Sequence, residues 1–130
     1  MLSGMKILKL AFLAGAITDF LVFLLMVFPS LATIFWGFRE FDDKYYFAMG
    51  MGAALMLGWT ILLLWAYQRP IERRFVAPLT IIVIIGIAAT NIIMLNRDTF
   101  TITELLPTFI IQIILITLFS YGYMNTRPEK

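Results

Sequence analysis

The chain has 130 residues with no Cys and no His, a formal charge of +2, 62% hydrophobic and 14% charged residues, and a mean hydropathy of +0.92. Soluble domains carry about 25% charged residues, so this is a membrane protein's composition, and four spans of roughly 20 residues leave no room for a separate soluble domain. The missing Cys and His exclude disulfides, thiol nucleophiles, bis-histidine haem and most transition-metal sites, so no cofactor is expected, and the scattered basic residues form no stripe for nucleic acid.

The first apolar run covers about residues 7–28. Lys6 and Lys9 followed by Ala14-Gly15-Ala16 resemble a cleavable leader, but the apolar run continues well past that triplet, so an uncleaved span is expected. Ala11, Gly15 and Asp19 recur every four residues and share one helical face. Small residues let a neighbouring helix approach closely, which turns the Asp19 carboxyl into the bundle rather than toward lipid. Asp19 is the only acidic residue in the four spans. A carboxylate at mid-bilayer costs about 2.5–3.5 kcal/mol and is a functional-site hypothesis by default. No Lys, Arg or His lies at its depth to neutralise it, so it is expected to be mostly protonated at neutral pH unless water reaches it.

Pro29 ends this span. The loop that follows, residues 29–44, carries Leu31, Ile34, Phe35, Trp36 and Phe38 and is expected to contain a short segment lying on the membrane surface.

The second span, about residues 45–67, is rich in Met and Gly. Ala48 with Gly52, and Ala54 with Gly58, have the small-xxx-small spacing of close helix packing, within the bundle or between protomers. Met49, Met51 and Met56 do not share a face, so they read as adaptable packing rather than a copper(I) site. Trp59 is too deep for an interfacial belt and is expected to line an interior contact, its indole N–H seeking a partner. Arg69-Pro70 closes the span, and Arg69, Glu72, Arg73 and Arg74 read as a topology determinant with a local salt bridge.

The third span, about residues 75–95, has Pro78 in its first turn, where a missing N–H costs little. Thr101 and Glu104 then have capping-box spacing. Pro107 fits a helix start, so a short interfacial turn is expected before a fourth span at about residues 106–123. Asp19 lies 12 residues into its span, or about 18 Å of rise. Gln112 is at a similar depth and Asn91 about a turn nearer the other face, so Asp19, Gln112, Asn91, Thr18, Thr90 and Thr108 are candidates for one hydrogen-bonded cluster.

Lys and Arg number seven on the N-terminus, second loop and C-terminus, against three on the first and third loops. Both termini are therefore expected on the cytoplasmic side of a cell (inner) membrane.

Together Asp19, Gly58-Trp59-Thr60, Trp65-Ala66, Arg69-Pro70 and Glu72-Arg73-Arg74 give nearly the whole chain a pattern that resembles small prokaryotic four-span membrane proteins of the DoxX-like kind. That resemblance implies the fold and a prokaryotic inner membrane, and no defined activity. The chain is also similar to small multidrug-resistance transporters, four-span proteins with one acid in the first span. It departs from them in having Asp19 rather than Glu, a longer first loop, and only Gly86 in the third span.

The expectation is an all-α, four-helix transmembrane bundle forming a single domain. The candidate ligand- or proton-binding residues are Asp19, Asn91, Gln112 and Trp59, and the helix-packing residues are Ala11, Gly15, Gly52 and Gly58. The leading function is non-enzymatic, binding a lipophilic small molecule or a membrane-protein partner in the lipid bilayer. The alternative is a proton-coupled transporter of lipophilic cations, working as a homodimer around Asp19. An enzyme ranks third, because no second catalytic acid, base or metal site appears in the spans.

Overall fold

The computed structural model describes residues 3–127. The chain is all-helical: α1 (Gly4–Val27), α2 (Pro29–Trp36), α3 (Asp43–Gln68), α4 (Val76–Asn96) and α5 (Ile102–Met124). All but α2 are long and apolar enough to cross a membrane. In lipid the backbone has no water to bond to, so each apolar segment closes its hydrogen bonds internally as a helix.

The ends are set by short polar side chains. Ser3 Oγ accepts from the Lys6 N–H at 3.3 Å, and Asp42 Oδ1 from the Tyr45 N–H at 2.8 Å. Thr101 and Glu104 form the reciprocal capping box that opens α5. Pro29 supplies the first turn of α2, and Gly37, at φ 73°, ends it in the left-handed region.

Pro107 sits differently from the sequence expectation. Helix α5 starts at Ile102 and runs through it, with no separate turn before the span. The capping box sets the start of the helix, and the proline removes a single N–H whose would-be acceptor belongs to Thr103, an exposed residue. A lost bond so near a helix end is tolerated.

Helix α1 is the centre of the molecule, packing on both α3 and α5, while α4 packs chiefly on α5. The core joins Leu8, Phe12, Leu63, Ala77, Leu115 and Phe119. These residues come from the first half of α1 and α4 and the second half of α3 and α5, so the tight packing lies in the half of the bundle nearer the termini. Phe12 and Phe119 meet edge to face at 5.8 Å. Outward, Leu55 is 74% exposed and Phe47 71%. Large apolar side chains this bare on long helices mark the protein as a multi-pass membrane protein whose outer surface is solvated by lipid.

Candidate functional site

The stripe Ala11–Gly15–Asp19 faces the groove between α3 and α5. Ala11 is fully buried. A Cβ on Gly15 would lie 3.0 Å from Phe119 Cζ and 3.1 Å from Leu63 Cδ1, so this glycine is pressed from both neighbouring helices at once. Asp19, one turn further along the stripe, is half-buried. It has no ion-pair partner among the described residues.

Two contacts fix the register of α1 on α3: Gly15 against Leu63, and Gly52 against Met26, whose Sδ is 3.2 Å from an added Cβ. In that antiparallel register Trp59 is level with Asp19. Leu8 against Gly122 and Phe12 against Phe119 fix α1 on α5 in the same way. They set Asp19 level with Gln112, as the depth of each residue in its span implies. Asn91 lies about a turn further from the termini, since α4 is pinned to α5 by Phe75 beside Tyr123 and by Arg74 on Thr126.

Bringing these residues to one level does not join them. Gln112 is buried at 8% exposure, yet among the described residues its Oε1 has no hydrogen-bond partner, and Asn91 Nδ2 is buried without one. Thr18 and Thr90 turn their hydroxyls back to Ala14 O at 2.9 Å and Gly86 O at 3.1 Å. The single hydrogen-bonded cluster expected at mid-depth is therefore absent among the described residues. A hydroxyl three or four residues from a helical carbonyl has a partner at hand and does not need a neighbouring helix. Trp59 is satisfied: its Nε1–H donates to Thr80 Oγ1 at 3.1 Å, and Thr80 donates in turn to Val76 O at 2.7 Å.

Gly58 does not pack within the chain. A Cβ there would meet nothing, and Ala54 is exposed as well. Of the small-residue candidates, Ala11, Gly15 and Gly52 hold helices together and Gly58 faces outward, because α3 presents its Ala53–Thr60–Leu63 side to the bundle.

Three residues have roles that the sequence alone does not reveal. Gly122 and Gly4 face the backbones of Leu8 and Asn125. Arg74 is buried and donates to Tyr123 O at 2.6 Å, Thr126 O at 2.7 Å and Thr126 Oγ1 at 3.2 Å, with its guanidinium 3.9 Å from the centre of the Tyr123 ring. A cation on the carbonyls at the C-terminal end of α5 is the arrangement that complements a helix dipole. A seven-residue recurrence along α5, Leu105–Gln112–Phe119 with Leu115–Gly122, was the available signal for its buried face.

No group of three or more Asp or Glu side chains able to hold a metal occurs among the described residues. Surface recesses lie at the two ends of the bundle, one lined by Phe38, Glu40 and Tyr45 and one by Met5, Arg69 and Glu72, and neither includes Asp19. What the middle of the bundle offers, among the described residues, is a carboxyl without an ion-pair partner at the level of a buried amide oxygen without a hydrogen-bond partner. No family model, curated protein or solved structure matches the chain.

Proposed function

We propose that the protein binds a lipophilic ligand at mid-membrane, in the seam at the level that Asp19 of α1 shares with Gln112 of α5. The carrying observation is the buried Gln112 Oε1 without a partner. An orphaned buried acceptor costs about 1–3 kcal/mol, which a bound polar head recovers. The same ledger disfavours a purely packing role for this polar pair.

A partner helix on the small-residue face of α1 is disfavoured, because α3 and α5 already cover Ala11 and Gly15. Access is lateral. Within the spans α3 and α4 are tied to each other by the Trp59–Thr80 hydrogen bond, and α4 otherwise leans on α5. The charge asymmetry of the loops supports both termini cytoplasmic in a cell membrane.

The test is labelling of Asp19 by a lipid-soluble carbodiimide in lipid nanodiscs, with Asp19→Asn as control. Lipophilic amphiphiles should slow the labelling in proportion to their occupancy of the site. An Asp19 that reacts at one rate whatever amphiphile is present rules the site out. Proton-coupled transport of lipophilic cations is the second reading, favoured by the lack of any counter-charge for Asp19. It further requires the labelling rate to titrate between pH 5 and 10 and Asp19→Asn to abolish uptake.

A further inference from the structure

The atoms at this seam say more about the ligand than that it is lipophilic. Gln112 Oε1 can only accept, and so can an ionised Asp19 carboxylate. Among the described residues no cation pairs with either of them. Lys9, the nearest on α1, sits 4.8 Å from the centre of the Tyr67 ring, and Arg74 is committed to Tyr123 and Thr126 at the far end of α5. Asn91, a donor, stands about a turn away on α4. With Asp19 ionised, two acceptors share one level in a low-dielectric interior, and a ligand that brings a positive charge and two donors satisfies both, whereas a protonated Asp19 supplies one donor of its own.

Tail-bearing molecules differ sharply in what they bring. An alcohol brings one donor and no charge. A quaternary ammonium brings charge and no donor. A primary or secondary ammonium brings both. We propose that the Asp19–Gln112 seam takes the protonated head of a lipophilic primary or secondary amine, one N–H donating to the Asp19 carboxylate and another to Gln112 Oε1, with the tail leaving between α3 and α4. Asp19 selects for positive charge, and Gln112 selects for an N–H. This inference rests on the reading of the seam as a lipophilic-ligand site.

The test uses the full chain in lipid nanodiscs and four probes that share one tail: dodecylamine, N-methyldodecylamine, dodecyltrimethylammonium and dodecanol. Affinity is read by titration calorimetry against empty discs and by protection of Asp19 from carbodiimide. The two amines should bind at least about tenfold more tightly than the other two, the scale of one hydrogen bond to a charged group. Gln112→Met, which keeps the length of the side chain and removes its oxygen, should make dodecylamine and dodecyltrimethylammonium equal. Gln112→Glu, which keeps an acceptor, should retain the preference. Equal binding of these two probes to the unaltered protein, or a preference that survives Gln112→Met, overturns the role of the N–H while leaving a ligand site at Asp19. If none of the four probes protects Asp19, the site itself is absent and both readings fall.

Discussion

Gly122 of α5 lies directly on the backbone of Leu8 in α1: a methyl group at position 122 would stand 2.7 Å from the Leu8 Cα. Backbone cannot move aside as a flexible side chain does, so Gly122→Ala must push the two helices apart. The expected loss is about 1–3 kcal/mol, the range for overpacking a close contact. Gly58→Ala is the matched control, since a Cβ there meets nothing. It should raise stability by about 0.5–1 kcal/mol through helix propensity alone. Denaturation of both variants in mixed micelles checks the pair, and a Gly122→Ala protein as stable as Gly58→Ala would mean the α1–α5 seam has room for a methyl group.

Arg74 should be worth more than a surface topology determinant. Its side chain meets three oxygens at and just beyond the end of α5 and lies over Tyr123. Arg74→Ala is expected to cost about 2–3 kcal/mol, comparable to a lost hydrogen bond to a charged group. Arg74→Lys keeps the charge but not the fork, and should recover only part of that. Amide exchange over residues 121–126 should speed up in both variants, more in Ala. Arg69 gives the contrast. Its ion pair with Glu72 at 3.2 Å is solvent-exposed on both sides, and Arg69→Ala should fall within about 1 kcal/mol of the parent.

The difference between these arginines shows where the sequence was legible. Hydropathy and punctuation reveal the four spanning helices because lipid leaves each apolar segment one way to satisfy its backbone. The four-residue stripe through Ala11, Gly15 and Asp19 reveals the buried face of α1, since that period is local to the helix. Arg69 and Arg74 look alike in the string Arg69-Pro70-Ile71-Glu72-Arg73-Arg74, and only the arrival of α5 from 49 to 52 residues away separates a solvated charge from a buried clamp. Gly58, which has no neighbour among the described residues of the chain, shows the converse. Small-residue spacing states that a helix can be approached on that side, and not that a neighbour is there. The orphaned oxygen of Gln112 is also beyond sequence, because depth in a span gives a residue's level and not the partner it finds, and Thr18 and Thr90 bond within their own helices.

Trp59 and Thr80 should show a coupling that neither residue reveals alone. The indole N–H donates to Thr80 Oγ1 at 3.1 Å and ties α3 to α4. In a double-mutant cycle, Trp59→Phe and Thr80→Val should couple by about 0.6–1.7 kcal/mol, the measured range for hydrogen bonds between membrane helices. Thr80→Val also removes the bond to Val76 O, so its single effect includes a local part that the cycle cancels. Additive losses would show that the indole finds another acceptor once Thr80 is gone.

Replacing Gln112 should make the protein more stable and less useful to itself. The side chain is buried at 8% exposure, with an oxygen that has no partner among the described residues. Gln112→Met fills nearly the same volume without that oxygen, and removing an unsatisfied buried acceptor is expected to gain about 1–3 kcal/mol. A residue retained only for packing has no reason to forgo that gain, whereas a binding residue forgoes it in the empty state and recovers it when the ligand's head arrives. Unfolding of Gln112→Met and its parent is therefore to be compared twice, with and without dodecylamine. Without it the variant should be the more stable. With it the parent should gain stability with amine concentration while the variant gains less. A variant that is destabilised in the empty state would instead show that Gln112 already holds α1, α4 and α5 together, and the seam would then have no polar position free for a ligand.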